Sequence, residues 1–176
     1  MNRETKDNTP VETNKKRWQE VLATPPPKNI VIEHPFVKGL KYIPIGTIEG
    51  MLDRIFGIGN WGVKVNSIQL IANSVVVCVT LRINFNDRII EHDGVGASPL
   101  QVNAGANATD ISQLKSNAVM LAVPAAKSFA IKDAAEHLGE MFGRNLNREH
   151  YIHSIKVDNK LEKELVKVEI KPNQNK

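Results

Sequence analysis

The sequence predicts an α+β domain in which a short helix, a three-stranded antiparallel meander and a long helix pack on one another. Three observations lead there: helical spacing of apolar residues over 47–56, two-residue alternation over 63–92, and an alanine-rich stretch beyond residue 110. In the first, Ile48, Met51, Leu52, Ile55 and Phe56 share a helical face, and Gly57 follows as a C-terminal cap. The second divides into strands at 63–71, 75–85 and 88–92, joined by turns at Ala72-Asn73-Ser74 and Asn86-Asp87. In its middle strand Val75, Val77, Val79, Leu81, Ile83 and Phe85 fall on one face and Thr80, Arg82 and Asn84 on the other, as a sheet with one wet side requires.

Residues 94–110, rich in Gly, Ala and Asn, read as a long loop. Asp110 or Ser112 then caps the long helix, which runs to about His137 with a break or kink at Pro124 and ends at Gly139 and Gly143. A shorter helix is expected over NREHYIHSI, and residues 158–170 form a charged tail with no core face. At the other end, residues 1–16 are polar and aperiodic, and three consecutive prolines, Pro25 to Pro27, forbid helix and sheet. KRWQEVL between them reads as a short amphipathic turn anchored by Trp18. The chain is therefore expected to divide into a mobile N-terminal arm with a Pro-rich linker (1–39), a folded domain (40–155) and a charged C-terminal tail (156–176).

Composition narrows the function. Of 176 residues, 41% are apolar, but no run approaches the ~18 that a membrane span needs. The start, MNRETKDNTP, has no apolar signal stretch, so a cytoplasmic location is expected. A single cysteine, Cys78, within VVVCVTL excludes an internal disulfide and reads as a buried strand residue. Net charge is +4, yet the surplus lies in the ends: residues 42–153 carry 9 Lys/Arg against 10 Asp/Glu. A polyanion-binding domain usually carries its basic surplus on the folded part, and by charge count alone this one does not.

Several constellations resolve to ordinary structure. Gly57-Ile58-Gly59-Asn60-Trp61-Gly62 matches GxGxxG, but it leaves a helix and opens a strand, the reverse of the order that brings a pyrophosphate to a helix N-terminus. Its glycines read as turn residues around a half-buried Trp61. No GxxxxGK[ST] occurs, so no ATP or other cofactor is expected. Asp87, Glu91, Asp93, Asp110 and Asp133 are too scattered for a two-metal nuclease. His150 and His153 lack a second pair of zinc ligands nearby. Lys115, Lys127 and Lys132, interleaved with serines and alanines along the long helix, let a phosphate backbone approach closely or form a solvated face.

RIFGIGNWGVKV (54–65), VCVTLRINF, EHDGVGAS (91–98) and LKSNAV…AAKSFAIKDAAEHLGEMFGRNLNR (114–148) follow one another in order. In that combination the segment from Tyr42 to Ile152 resembles the Rad52 superfamily of single-strand annealing proteins, and within it the phage, Sak-like branch. The resemblance implies that a β-meander packs on the long helix, that protomers form homo-oligomeric rings, and that single-stranded DNA lies in a groove around the ring. It also implies annealing of complementary strands without ATP, in recombination and repair. DNA-contact positions of the family's type are Lys115, Lys127 and Lys132, with Arg54 and Lys64 flanking the FGxGxW turn. If the chain is phage-encoded, the compartment is the bacterial cytoplasm or nucleoid, and the tails are available to protein partners. There are departures from the eukaryotic pattern: Glu136, His137 and Glu140 replace a basic cluster, and Thr47 replaces a basic residue. Large rings to stack under bases are few, with Trp61 and Tyr42 nearest the motif. A single-strand-binding coat protein and a metal-dependent nuclease are the alternatives.

Overall fold

A computed structural model describes residues 18–35 and 37–148. Helix α1 (18–23) leads into a 3-10 turn at Lys28–Ile30 and a two-stranded ribbon, β1 (Ile32–Glu33) and β2 (Lys41–Tyr42), closed by His34 N–H donating to Leu40 O at 2.7 Å. Helix α2 (Ile45–Phe56) follows. A sheet of β3 (Trp61–Ile71), β4 (Ser74–Phe85) and β5 (Arg88–Pro99) is antiparallel in the order β3-β4-β5, and α3 (Ala118–Glu136) lies across it. The α+β architecture expected from the sequence is the one observed. Residues 145–148 fall in a separate unit and form a turn in which Arg148 N–H donates to Asn145 O.

Helix α2 buries Ile48, Leu52 and Phe56, one residue per turn, and stops at Gly57, whose φ of 92° suits glycine and whose N–H donates to Asp53 O. Between β4 and β5, Asn86 and Asp87 both have positive φ, the backbone of a type I′ hairpin turn. Val75, Val77, Val79, Leu81 and Ile83 of β4 are buried beneath α3, and Phe85 closes the row half-buried, stacked on Trp18 at 4.9 Å between centroids. Trp18 also meets Phe56 edge-on at 5.9 Å, and Leu22, one turn later, is buried. Cys78 alternates with the buried Val77 and Val79. It therefore sits half-buried on the opposite face, not in the core as its apolar neighbours suggested.

Three further expectations are corrected. The stretch from Gly94 is not loop: β5 continues to Pro99, with Gly94 paired to Val79 and Gly96 to Val77. A Cβ on Gly94 would lie 2.5 Å from Ala134 N, and one on Gly96 would lie 2.8 Å from Phe129 C, with carbonyls of α3 closer still. Small residues here mark a strand stripped bare so that a helix backbone can approach. The helix meets it with a matching stripe, Ala118, Ala122, Ala126, Ala130 and Ala134, all buried. Second, Asp110 does not cap the long helix. It accepts from Ser112 N–H and caps a 3-10 turn at Ile111–Gln113, after which Leu114 bridges to Val102 and Lys115 N–H donates to Gln101 O, delaying α3 until Ala118. Third, Pro124 does not break α3, which continues through it from Ala118 to Glu136. The carbonyl that loses its partner there belongs to the exposed Met120, where water can meet it. The helix expected over NREHYIHSI lies outside the described residues from Glu149 onward.

Helix α3 covers β5 and β4 but not β3. A bulge at Asn66 resets the register so that Ile68 and Leu70 stay on the helix-side face of the sheet, opposite Val77 and Val75. They are nevertheless 56% and 57% exposed. Because Gly94 meets Ala134 and Gly96 meets Ala126, α3 runs antiparallel to β5, and its first turn lies at the same end of the molecule as the β3-β4 turn. Ile71, Val119, Met120 and Leu121 are exposed there too.

Candidate nucleic-acid interface

The five cations singled out in the sequence come from four places. Arg54 projects from the last turn of α2 and is exposed. Lys64 lies on the sheet face away from α3, in a row with Thr80 and Asp93, where Thr80 Oγ1 donates to Asp93 Oδ1 at 2.5 Å and accepts from Asn66 Nδ2 at 2.7 Å. The next row pairs Arg82 with Glu91 at 3.8 Å, so charge on that face is balanced. Lys115 precedes α3 instead of lying on it, exposed, with its ammonium 3.4 Å from Gln101 Oε1. Only Lys127 and Lys132 share α3, and their spacing of five residues turns them about 140° apart around its axis.

Lys132 is set in a site of its own. The β1-β2 ribbon brings Tyr42 up to α3, and the Lys132 ammonium lies 4.7 Å from the centre of the Tyr42 ring and 5.4 Å from that of Phe129, one turn back on the same helix. Both distances are within cation–π range. Burial lowers the Lys132 pKa from its ordinary value, and the Glu136 carboxylate, one turn on, opposes the shift. Phe129 itself is 45% exposed. The i, i+3 spacing of Phe129 and Lys132 was readable in the sequence; the arrival of Tyr42 from 90 residues away was not.

Trp61 is engaged structurally, its indole N–H donating to Asp53 Oδ1 at 2.8 Å and so tying β3 to α2. Asn60 Nδ2 donates to Phe56 O, sealing the helix end beneath the glycine turn. The carboxylates also have separate occupations: Asp133 accepts from Val95 N–H on the outer edge of β5, and Asp110 holds its 3-10 turn. Among the described residues, no three His, Cys, Asp or Glu side chains gather as a metal site would need. His150 and His153 lie outside them.

At the far end of α3, His92 of β5 stacks on His137 with centroids 5.6 Å apart and planes at 25°. Arg144 closes this end of the helix, donating from Nε to Glu136 O and from Nη2 to His137 O. Burial, then the neighbouring His137 and then Arg144 lower the His92 pKa below the ordinary 6.5, against a smaller opposing effect of Asp93. A histidine held neutral in the fold takes up a proton more readily when unfolded, so its contribution to stability is present above pH 6.5 and lost as the pH falls through the lowered value. Denaturant midpoints measured across that range should decline on the acid side for the wild type and decline less for His92→Gln.

The described domain is thus a β-meander with one long helix bedded on it through glycine and alanine, and with two lysines on that helix. The chain belongs to the Rad52/22 family of double-strand break repair proteins, whose pattern matches residues 14–165. This family comprises DNA-binding recombination mediators that are generally not catalysts. A search of curated proteins returns no match. None of the described helices is long and apolar enough to cross a membrane.

Proposed function

We propose that this protein anneals complementary single strands of DNA without nucleotide hydrolysis, as a phage-type recombinase acting in a homo-oligomeric ring. The observation that carries this reading is α3, fixed to the sheet by its alanine stripe and holding Lys132 between two rings at the surface. In a domain without net positive charge, a few cations held in place supply phosphate contacts, while Watson–Crick pairing supplies specificity. The annealing unit is assigned to residues 40–155, with α1 docked on it through Trp18 and Leu22. Lys115, Lys127 and Lys132 are its foremost DNA contacts, and Arg54 and Lys64 its second rank.

Support for the oligomer comes from Ile68, Leu70, Ile71, Val119, Met120 and Leu121, exposed together at one end of the protomer. Large apolar side chains left in solvent in such number at one end are suited to burial against a neighbouring protomer. Sedimentation should show assemblies well above the 19.6 kDa monomer at micromolar concentration. The direct test mixes two labelled complementary oligonucleotides with the protein, without ATP or magnesium. Annealing should accelerate, and binding should weaken with salt by about 0.7 in log K per log salt for each phosphate contacted. Slower pairing would identify a protective coat, and release of acid-soluble nucleotide in magnesium would identify a nuclease.

A further inference from the structure

We propose that Phe129 is a stacking platform for a nucleobase, set beside Lys132 so that one nucleotide of the bound strand places its phosphate on the ammonium and its base on the exposed ring. The site is built from both sides. Tyr42 lies under the Lys132 ammonium at 4.7 Å and restrains the long lysine stem, while Phe129, at 5.4 Å, keeps nearly half of its surface open to solvent. Phe129 is fixed in turn because α3 rests on Gly96 at that level of the sheet, where the backbone of Phe129 itself touches the strand. A ring on a rigid helix next to a half-buried cation offers a nucleotide both of the contacts by which single strands are held without sequence preference, a charge for the backbone and a π-face for the base. The carboxylates that face the site, Asp133 and Glu136, do not occupy the ring: Asp133 accepts from Val95 N–H, and Glu136 acts on Lys132. Stacking also answers the charge deficit of the domain, because each stacked base adds affinity that needs no cation. Every protomer would then hold one base of the strand. The inference rests on the annealing reading only in taking single-stranded DNA as the ligand.

The test compares a thymidine oligonucleotide with an abasic one of equal length, which has the same phosphates and no bases. By fluorescence anisotropy, the wild-type protein should bind the thymidine strand about tenfold more tightly. Phe129→Leu should erase that preference while weakening abasic binding far less than Lys132→Met does and leaving oligomer size the same, and Phe129→Tyr should keep the preference. Lys132→Met should weaken both strands alike. Equal wild-type affinity for the two strands overturns the platform while leaving annealing to be judged by its own assay. A Phe129→Leu protein that loses both ligands equally, or that dissociates, also overturns it and makes the ring a packing residue. Wild-type protein that binds neither strand removes the platform and the annealing reading together.

Discussion

Alanine at Gly94 or Gly96 will cost this protein about 3 kcal/mol of stability, the upper part of the usual range for overpacking, and valine at either will leave no folded protein to recover. A methyl group at these positions meets Ala130 O, Ala134 N and Ala126 O, which belong to the α3 backbone and cannot rotate aside. Relief requires the whole helix to lift, and the five-alanine stripe then parts from the sheet along its length. Urea denaturation of each variant measures the loss. Gly46→Ala serves as the control. Gly46 lies in α2 with nothing within 4 Å of the added methyl, so that change should stabilise by about 0.4–1 kcal/mol through reduced freedom of the unfolded chain. A Gly94→Ala protein as stable as wild type would mean that α3 does not press on β5 at Gly94.

The second large effect concerns function. Lys115→Ala combined with Lys132→Ala should reduce annealing to the rate of naked DNA while leaving the oligomer intact, and Glu136→Ala should anneal normally or faster. Lys115 is exposed and shares only a 3.4 Å contact with Gln101, so its truncation should move stability by less than ~0.5 kcal/mol. Lys132 gives up contacts with two rings, a loss of about 0.5–1 kcal/mol that the fold tolerates. Lost annealing with a preserved oligomer then reports lost DNA contact. Removing Glu136 takes a negative charge away from a position one turn beyond Lys132, where phosphate would approach. Should the double variant anneal at the wild-type rate in moderate salt, the groove lies elsewhere, and Arg54 and Lys64 are the residues to change next.

What the sequence disclosed depended on side-chain periodicity. Helix α2 and strand β4 were legible because Ile48, Leu52 and Phe56 repeat with one period and Val75 to Ile83 with another. The second half of β5 was not, because Gly94 and Gly96 have no side chains to form a pattern, and the same glycines that suit a loop also suit a strand pressed against a helix. The start of α3 was misplaced for a related reason: Asp110 followed by Ser112 has the chemistry of a cap, and only the long-range bridge of Leu114 to Val102 shows that it caps a lesser turn. For the candidate interface, the sequence pointed to Lys132 but not to its ring partners. Tyr42 joins it through a ribbon of two-residue strands too short to carry any periodicity, and Phe129 is one apolar residue among many in its helix. The stacking of His92 on His137 spans 45 positions and belongs to the same class of fact.

The sheet's two borders are unequal. Neither β3 nor β5 has a strand beyond it among the described residues, but on β5 the Val95 N–H is already taken by Asp133 of α3. Strand addition of β3 to β3 is self-terminating: two copies joined in that way use up the vacancy on both and stop at a pair. A cyclic ring of more than two protomers has to be made head to tail, one patch of each protomer meeting a different patch of the next. Whether such a series closes into a circle or runs on as a filament depends on a few degrees of rotation at each joint. Side chains at that joint, far from any contact with DNA, would then set the circumference along which a strand can be laid out.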